Sequence, residues 1–163
     1  MQGRVFVVAG YDSGGGAGIQ ADIKTITALG GFAMTAVTAL TAQNSIAVAA
    51  VHKLPPAFVA DQIRVTLEDL GLDAVKTGMM ADAAIINAAA DALDGMAAEV
   101  PWVVDTVMVS TSRDRLLDED AVSALKARLV SKAALVTPNM AEAGMLTGLR
   151  VDTADAKIGR AHV

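Results

Sequence analysis

The chain has 163 residues, of which 53% are hydrophobic and 19% are charged, and its formal net charge is −5. These proportions exclude an intrinsically disordered chain and suit one domain or a piece of a larger one. The acidic balance argues against nucleic acid and anionic membrane surfaces as partners. The absence of cysteine excludes disulfides and thiolate chemistry.

The sequence shows neither a secretory leader nor a membrane span. The N-terminal ten residues contain only a short apolar run, and no stretch approaches the roughly 20 apolar residues that cross a bilayer. Two histidines, His52 and His162, are too few for a histidine-based metal site. We therefore expect a soluble, cytoplasmic protein.

Short β-branched runs alternate with segments whose apolar residues have helical spacing. The runs predict strands or extended segments over 5–9, 32–41, 46–54, 74–77, 101–105 and 134–137. The helical spacing predicts helices over 19–29, 59–70, 82–93, 118–130 and 141–146. This alternation indicates an α/β fold with a mostly parallel sheet covered on both faces.

The glycine-rich segment 10–18 follows the first predicted strand. It is not a P-loop of the Walker A type, because Gly16 stands where lysine is required, and its glycine spacing fails the dinucleotide fingerprint. A flexible turn is one interpretation. Four glycines within residues 14–18, at the edge of the sheet where ligands bind, favour a ligand-binding loop.

Polar side chains follow several predicted strands, and parallel strands bring such positions to one edge of the sheet. These residues are Asp12, Gln43, Asn44, Lys76, Asp105, Asn139 and Glu142. Taken singly, some of these residues, and also Asp22 in the helix predicted after the glycine-rich segment, have an ordinary structural explanation. Asp22 is typical of the first turns of a helix, Gln43 of a turn, and Glu142 of an exposed helix position.

Some of the same residues also have a chemical interpretation. The amide of Gln43 suits a heteroaromatic ring nitrogen beside an amino group. Asp105 and Glu142 are hard oxygen ligands of the kind that hold Mg²⁺ with retained waters. Lys76 lies at a strand end or is held by an anion, since lysine is almost never buried unpaired.

Five blocks of the sequence carry a family resemblance: residues 10–22, 38–44, 76–79, 105–108 and 137–142. In this order they resemble hydroxymethylpyrimidine/phosphomethylpyrimidine kinase, a ribokinase-like family of thiamine biosynthesis. The resemblance extends from about residue 5 to about residue 148, and the first two blocks are the most specific.

The resemblance implies a ribokinase-like three-layer α/β/α fold and ATP-dependent phosphorylation with Mg²⁺. Its substrates would be 4-amino-5-hydroxymethyl-2-methylpyrimidine and then the monophosphate of that pyrimidine. Gly10, Asp22 and Gln43 would hold the pyrimidine, with Asp22 facing the hydroxymethyl group and Gln43 facing the ring nitrogen and amino group. Met79 and Val107 would form walls around the ring.

The resemblance also implies that Asp105 and Glu142 position Mg²⁺ through water and that Asn139 lies near the phosphates. Lys76 belongs to a matching block without an assigned role. The family often forms dimers, which makes a homodimer the expected assembly of a full-length member.

The chain departs from the family pattern in two places. The family usually has glycine where this chain has Arg113. The family's later glycine-rich anion-hole motif, which carries the catalytic residue, has no counterpart here, so we expect a partial kinase domain over residues 1–156. Residues 157–163 fit one frame of a sequencing adapter, so we expect them to be a non-native tail.

Three other interpretations stay open from the sequence. A pyridoxal or pyridoxine kinase is the alternative enzyme, because related folds bind that ring. A non-catalytic pyrimidine-binding fragment is the alternative for this chain alone. A generic α/β binding module comes third.

Overall fold

The computed structural model describes residues 3–108, 117 and 119–149. Arg113, residues 157–163 and the boundary at 156 lie outside this range. Within it the strands are β1 (Arg4–Asp12), β2 (Phe32–Gln43), β3 (Val48–Lys53), β4 (Ala74–Thr77), β5 (Trp102–Val104) and β6 (Leu135–Val136). The helices are α1 (Gly18–Ala28), α2 (Pro56–Leu70), α3 (Ala83–Asp94), α4 (Glu119–Arg128) and α5 (Met140–Thr147), and a 3₁₀ turn spans Val130–Lys132.

The six strands form one sheet in the order β3-β2-β1-β4-β5-β6. β3 runs antiparallel to β2, and the other neighbouring pairs are parallel. The α/β class and the mostly parallel sheet are thereby confirmed. The central strand β1 has Phe6 to Ala9 fully buried, which explains its continuous apolar run.

The helices lie on both faces of the sheet but bury very different areas. The larger hydrophobic core lies between one face of the sheet and helices α2, α3 and α4. It includes Phe6, Ile63, Ile86 and Leu125. On the other face, Val7, Ala9 and Ile19 form a small cluster under α1. The sheet thus has a thick and a thin side in the described part of the chain.

Most predicted element boundaries agree with the structure within about two residues. Asp82 caps α3 by accepting a hydrogen bond from the Ile85 N–H at 3.0 Å, as its position predicts. Proline opens α2, and Gly71 ends it with a positive φ of 60°. The helices are therefore fixed largely by local signals.

Candidate functional site

β1 ends at Asp12, and the loop that follows folds around this carboxylate. Its oxygens accept hydrogen bonds from the N–H groups of Gly14 at 2.7 Å, Gly16 at 2.9 Å and Ala17 at 2.7 Å. Burial alone raises the pKa of Asp12. The Gln43 side chain and these three N–H groups outweigh burial, so the pKa lies below its ordinary value. Asp12 therefore acts as an ionised anchor for the glycine-rich loop.

Two glycines allow the loop to pass closely over the strand ends. Gly18 has a φ of 57°, and a Cβ there would collide with the carbonyl oxygen of Gly10. A Cβ at Gly10 would collide with the end of the Met79 side chain. A larger residue at Gly18 would push the loop away from the sheet edge, whereas one at Gly10 would displace the flexible end of the Met79 side chain in the cavity wall.

Gln43 ends β2, and its backbone is tied to the same loop. The Ser13 hydroxyl donates to the carbonyl of Gln43 at 2.7 Å and accepts from its N–H at 2.8 Å. A tight turn follows, in which the Asn44 side chain accepts from the N–H groups of Ile46 and Ala47. This turn leads into β3 and folds an apolar hairpin over the sheet edge.

A charged cluster lies at the carboxyl ends of β4 and β5. Lys76 Nζ is 2.9 Å from Asp22 Oδ2 on α1 and 3.6 Å from Asp105 Oδ2. Burial raises the pKa of Asp105 above its ordinary value, and Glu142 and Asp22 add to the rise, although Lys76 opposes it. One lysine thus faces two carboxylates, with a third nearby.

Glu142 is 3% exposed, which does not agree with an exposed helix position. Its carboxylate accepts from the Thr106 hydroxyl at 2.8 Å, the Asn139 N–H at 3.0 Å and the Met108 N–H at 3.1 Å. The Asn139 side chain in turn accepts from the Glu142 N–H, which completes a capping box at the start of α5. Glu142 therefore joins α5 to the segment after β5.

These elements enclose an open cavity of about 350 Å³ at the sheet edge. Of the predicted site residues, those that line it are Gly10, Gln43, Met79, Asp105 and Val107. Asp22 does not line the cavity itself. It forms an ion pair with Lys76, and Lys76 lines the cavity. Asn139 and Glu142 do not line the cavity. Among the described residues, no group of three or more His, Cys, Asp or Glu side chains is placed to hold a metal ion.

Sequence reasoning missed the hairpin wall of this cavity. Ile46, Val48 and Val51 line it, together with Tyr11 and Thr41. The Asn44-Ser45 pair between two extended runs is a turn signal that predicts this hairpin. The imperfect alternation in 46–54 obscured it.

Comparison with known proteins tests the resemblance. The family model described as phosphomethylpyrimidine kinase matches residues 12–162. The chain belongs to the phosphomethylpyrimidine kinase family. The match includes most of residues 157–163, whose non-native origin stays a prediction.

Relatives of the family agree with this assignment. The thiamine biosynthesis bifunctional protein of Geobacter sulfurreducens is 51% identical over 92% of the chain and 30% of its own length. The crystal structure of phosphomethylpyrimidine kinase from Clostridium difficile 630 has a TM-score of 0.89 and 38% identity, covering 98% of this chain and 68% of that one.

A pyridoxal kinase shares the fold. The Staphylococcus aureus enzyme, in complex with AMP-PCP and pyridoxal, has a TM-score of 0.81 and 33% identity, covering 97% of this chain and 56% of that one.

The chain spans 54–57% of several curated relatives named hydroxymethylpyrimidine/phosphomethylpyrimidine kinase. No helix among the described residues is long and apolar enough to cross a membrane.

Proposed function

We propose that this chain forms the pyrimidine-binding part of a hydroxymethylpyrimidine/phosphomethylpyrimidine kinase. The whole protein would transfer phosphate from ATP to 4-amino-5-hydroxymethyl-2-methylpyrimidine and then to its monophosphate. The observation that carries the proposal is the cavity that joins Gln43, Met79 and Val107 to the charged cluster around Lys76.

The cavity has the size and chemistry of a site for one substituted ring. Its volume of about 350 Å³ is at the small end of ligand pockets, which suits a six-membered ring with short substituents. Met79 and Val107 offer apolar walls, and Gly10 lets the backbone approach the ring. The amide of Gln43 faces the polar edge of the ring.

The charged cluster lies where the hydroxymethyl group would react. Asp22 and Asp105 share Lys76, so the lysine holds both carboxylates toward the same end of the cavity. In the proposed complex with substrate, Asp22 accepts a hydrogen bond from the substrate hydroxyl. Because Asp22 lies behind Lys76, its approach to the ligand requires a small rearrangement of that ion pair.

The same cluster fits a divalent cation held through water. Asp105, Asp22 and Glu142 outweigh the single charge of Lys76, and Asp105 is the carboxylate that reaches the cavity. Glu142 is already bonded to three donors and would contribute mainly its charge. Mg²⁺ at this position would neutralise charge on the phosphates of ATP during transfer. We assign Asn139, which caps the start of α5, to the side of the site that would hold the phosphates.

Calorimetric binding to the 163-residue chain tests the proposal. We expect 4-amino-5-hydroxymethyl-2-methylpyrimidine to bind and Gln43→Ala to weaken it at least about tenfold, since losing hydrogen bonds to a buried ring costs more than about 1.4 kcal/mol. Asn87→Ala, which removes an exposed amide on α3, serves as the control and should leave the affinity unchanged.

The alternatives give different results. Tighter binding of pyridoxal than of the pyrimidine would indicate a pyridoxal kinase. Pyrimidine binding to the chain, with no ATP turnover by the full-length protein, would indicate a non-catalytic pyrimidine-binding protein. An unchanged affinity in Gln43→Ala would contradict the assigned role of Gln43, and binding of neither ring would overturn the proposed function.

A further inference from the structure

Lys76 is the one cation among the described residues that line the cavity. The other charged side chains of this lining are Asp12 and Asp105. Three N–H groups of the glycine-rich loop already bind the Asp12 carboxylate. Among these lining side chains, Lys76 alone would attract an anionic group of a ligand by its charge.

The ammonium group of Lys76 keeps donors free for such a group. It donates a hydrogen bond to Asp22 Oδ2 at 2.9 Å. The distance from Lys76 Nζ to Asp105 Oδ2 is 3.6 Å, which is longer than a hydrogen bond. An ammonium carries three N–H donors, and the Lys76 side chain is 22% exposed. At least one N–H can therefore bind a group in the cavity while the bond to Asp22 is kept.

The residue after β4 leaves space beside this ammonium. Gly78 also lines the cavity. A Cβ at this position would lie 3.3 Å from Lys76 Nζ and 3.0 Å from the Cβ of Ala9, both closer than ordinary contacts. The missing side chain thus lets a ligand group come close to Lys76.

We propose that Lys76 is the residue that lets the cavity accept the phosphorylated pyrimidine as well as the neutral alcohol. This inference rests on the proposed function, in which one cavity takes both substrates in turn. The hydroxymethyl group of the first substrate faces Asp22 in that proposal. A phosphate on the same group would meet the carboxylates of Asp22 and Asp105, which hold Lys76 between them.

The two substrates differ in what they require of this end of the cavity. A phosphate monoester carries about −1.5 to −2 charges at pH 7, and two carboxylates would repel it. Lys76 offsets this repulsion by donating a charge-assisted hydrogen bond to a phosphate oxygen. The neutral alcohol meets no such repulsion. Lys76 is therefore a specificity residue for the second substrate and contributes little to binding of the first.

Calorimetry with the 163-residue chain, in buffer without divalent cations, compares the alcohol with its monophosphate. We expect the wild-type chain to bind both. In Lys76→Gln the amide can still donate to Asp22, but the charge is lost. The affinity for the monophosphate should fall at least about tenfold, the scale of a lost partner in a charged hydrogen bond. The affinity for the alcohol should change less than about threefold, because it loses no hydrogen bond.

A lysine outside the cavity supplies the matched control. Lys24 is exposed on α1 and donates to the Gly15 carbonyl at 2.7 Å, and it does not line the cavity. Lys24→Gln removes the same charge from the surface, so the ratio of the two affinities should stay as in the wild type. Added salt should weaken only the monophosphate in the wild type.

Far-UV circular dichroism checks that each variant folds. If Lys76→Gln does not fold, the double variant Lys76→Gln/Asp22→Asn is compared with Asp22→Asn, because this pair of variants leaves no carboxylate at position 22 without its lysine. The monophosphate should again bind at least about tenfold more weakly when the lysine is absent.

The outcomes separate this inference from the proposed function. Binding of the alcohol but not of the monophosphate to the wild type would overturn the inference alone. Equal losses for both ligands on removal of Lys76, or no loss for the monophosphate, would do the same. Failure of the wild type to bind either ligand would overturn the proposed function and the inference with it.

Discussion

Asp105 is partly buried in the folded chain, and this environment disfavours the charged form of its carboxylate. Burial and the nearby carboxylates raise the pKa of Asp105, and Lys76 offsets this only in part. Such groups accumulate at ligand sites, where a bound cation or substrate can compensate for the cost. In the ligand-free chain the carboxylate is a source of instability.

We expect Asp105→Asn to stabilise the ligand-free chain modestly at pH 7. The unfolded chain releases this proton near the ordinary value of 3.8, and the folded chain holds it to higher pH. Wild-type stability therefore falls as the pH rises through the raised pKa, and the advantage of the variant is present above that pKa and absent below 3.8. Urea unfolding at several pH values measures the effect.

The exposed residue Asp61 supplies the comparison. It forms a surface ion pair with Arg64 at i,i+3, so Asp61→Asn should change stability little at any pH. A lower stability of Asp105→Asn at pH 7 would show that the Lys76 attraction exceeds the effect of burial.

The structure explains why the sequence could identify single site residues but not their pairing. The position of Asp105 after a strand and the amide of Gln43 were both visible in the chain. The Lys76–Asp22 pair joins residues 54 positions apart, and only the β1–β4 pairing and the placement of α1 bring them together. The burial of Glu142 likewise depends on Thr106 and Met108, which no local pattern connects to it.

Among the elements, α3 has a clear local start signal at Asp82. Asp82 accepts from the Ile85 N–H with one oxygen, and its other oxygen lies 3.0 Å from Lys53 Nζ at the end of β3. The preceding residue, Ala81, has a φ of 67°, unusual for a residue with a side chain. The cap thus stabilises a helix start and joins it to the β2–β3 hairpin.

Asp82→Ala should lower the free energy of unfolding by about 1–2 kcal/mol, because an N-cap is lost together with an ion pair. Lys53→Ala removes only the ion pair, which is partly exposed, and should cost less than about 0.5 kcal/mol. Urea denaturation of the two variants compares these costs directly. Equal losses would mean that the ion pair, and not the cap, stabilises the start of α3.

The elements differ in how well sequence patterns predict them. α2 and α3 carry proline, aspartate and glycine signals beside a regular apolar face, so their positions were predictable. All six side chains of β3 are exposed, so no buried face could impose a regular alternation on its sequence. The only local sign of its antiparallel pairing with β2 is the Asn44-Ser45 turn between the two strands.

At the scale of the whole molecule, the sheet has β6 at one edge among the described residues. Leu135 lies opposite Val103 in the register and is 55% exposed. Among the described residues, β6 is the last strand of the sheet, with its outer edge unpaired. An apolar edge of this kind promotes association of sheets.

We expect Leu135→Lys to slow aggregation of the 163-residue chain on warming, because a lysine on an edge strand opposes pairing with a second edge. Val65→Lys is the control. Val65 is 63% exposed on α2, which packs against β2 and α3 and not against β6, and its replacement should not change the rate. Light scattering gives the rate for each, and equal slowing in both variants would point to net charge instead of the edge.

The β2–β3 hairpin bonds to the rest of the sheet through β2 alone, yet its apolar side chains form one wall of the cavity. The opposite wall belongs to β1 and β4, which have neighbours on both sides. β3 is therefore bonded to a neighbouring strand on one side only, whereas β1 and β4 are bonded on both sides. A ring seated between the two walls would spend part of its binding free energy on restricting the hairpin. The site would select its ligand with one rigid wall and one wall that becomes ordered around it.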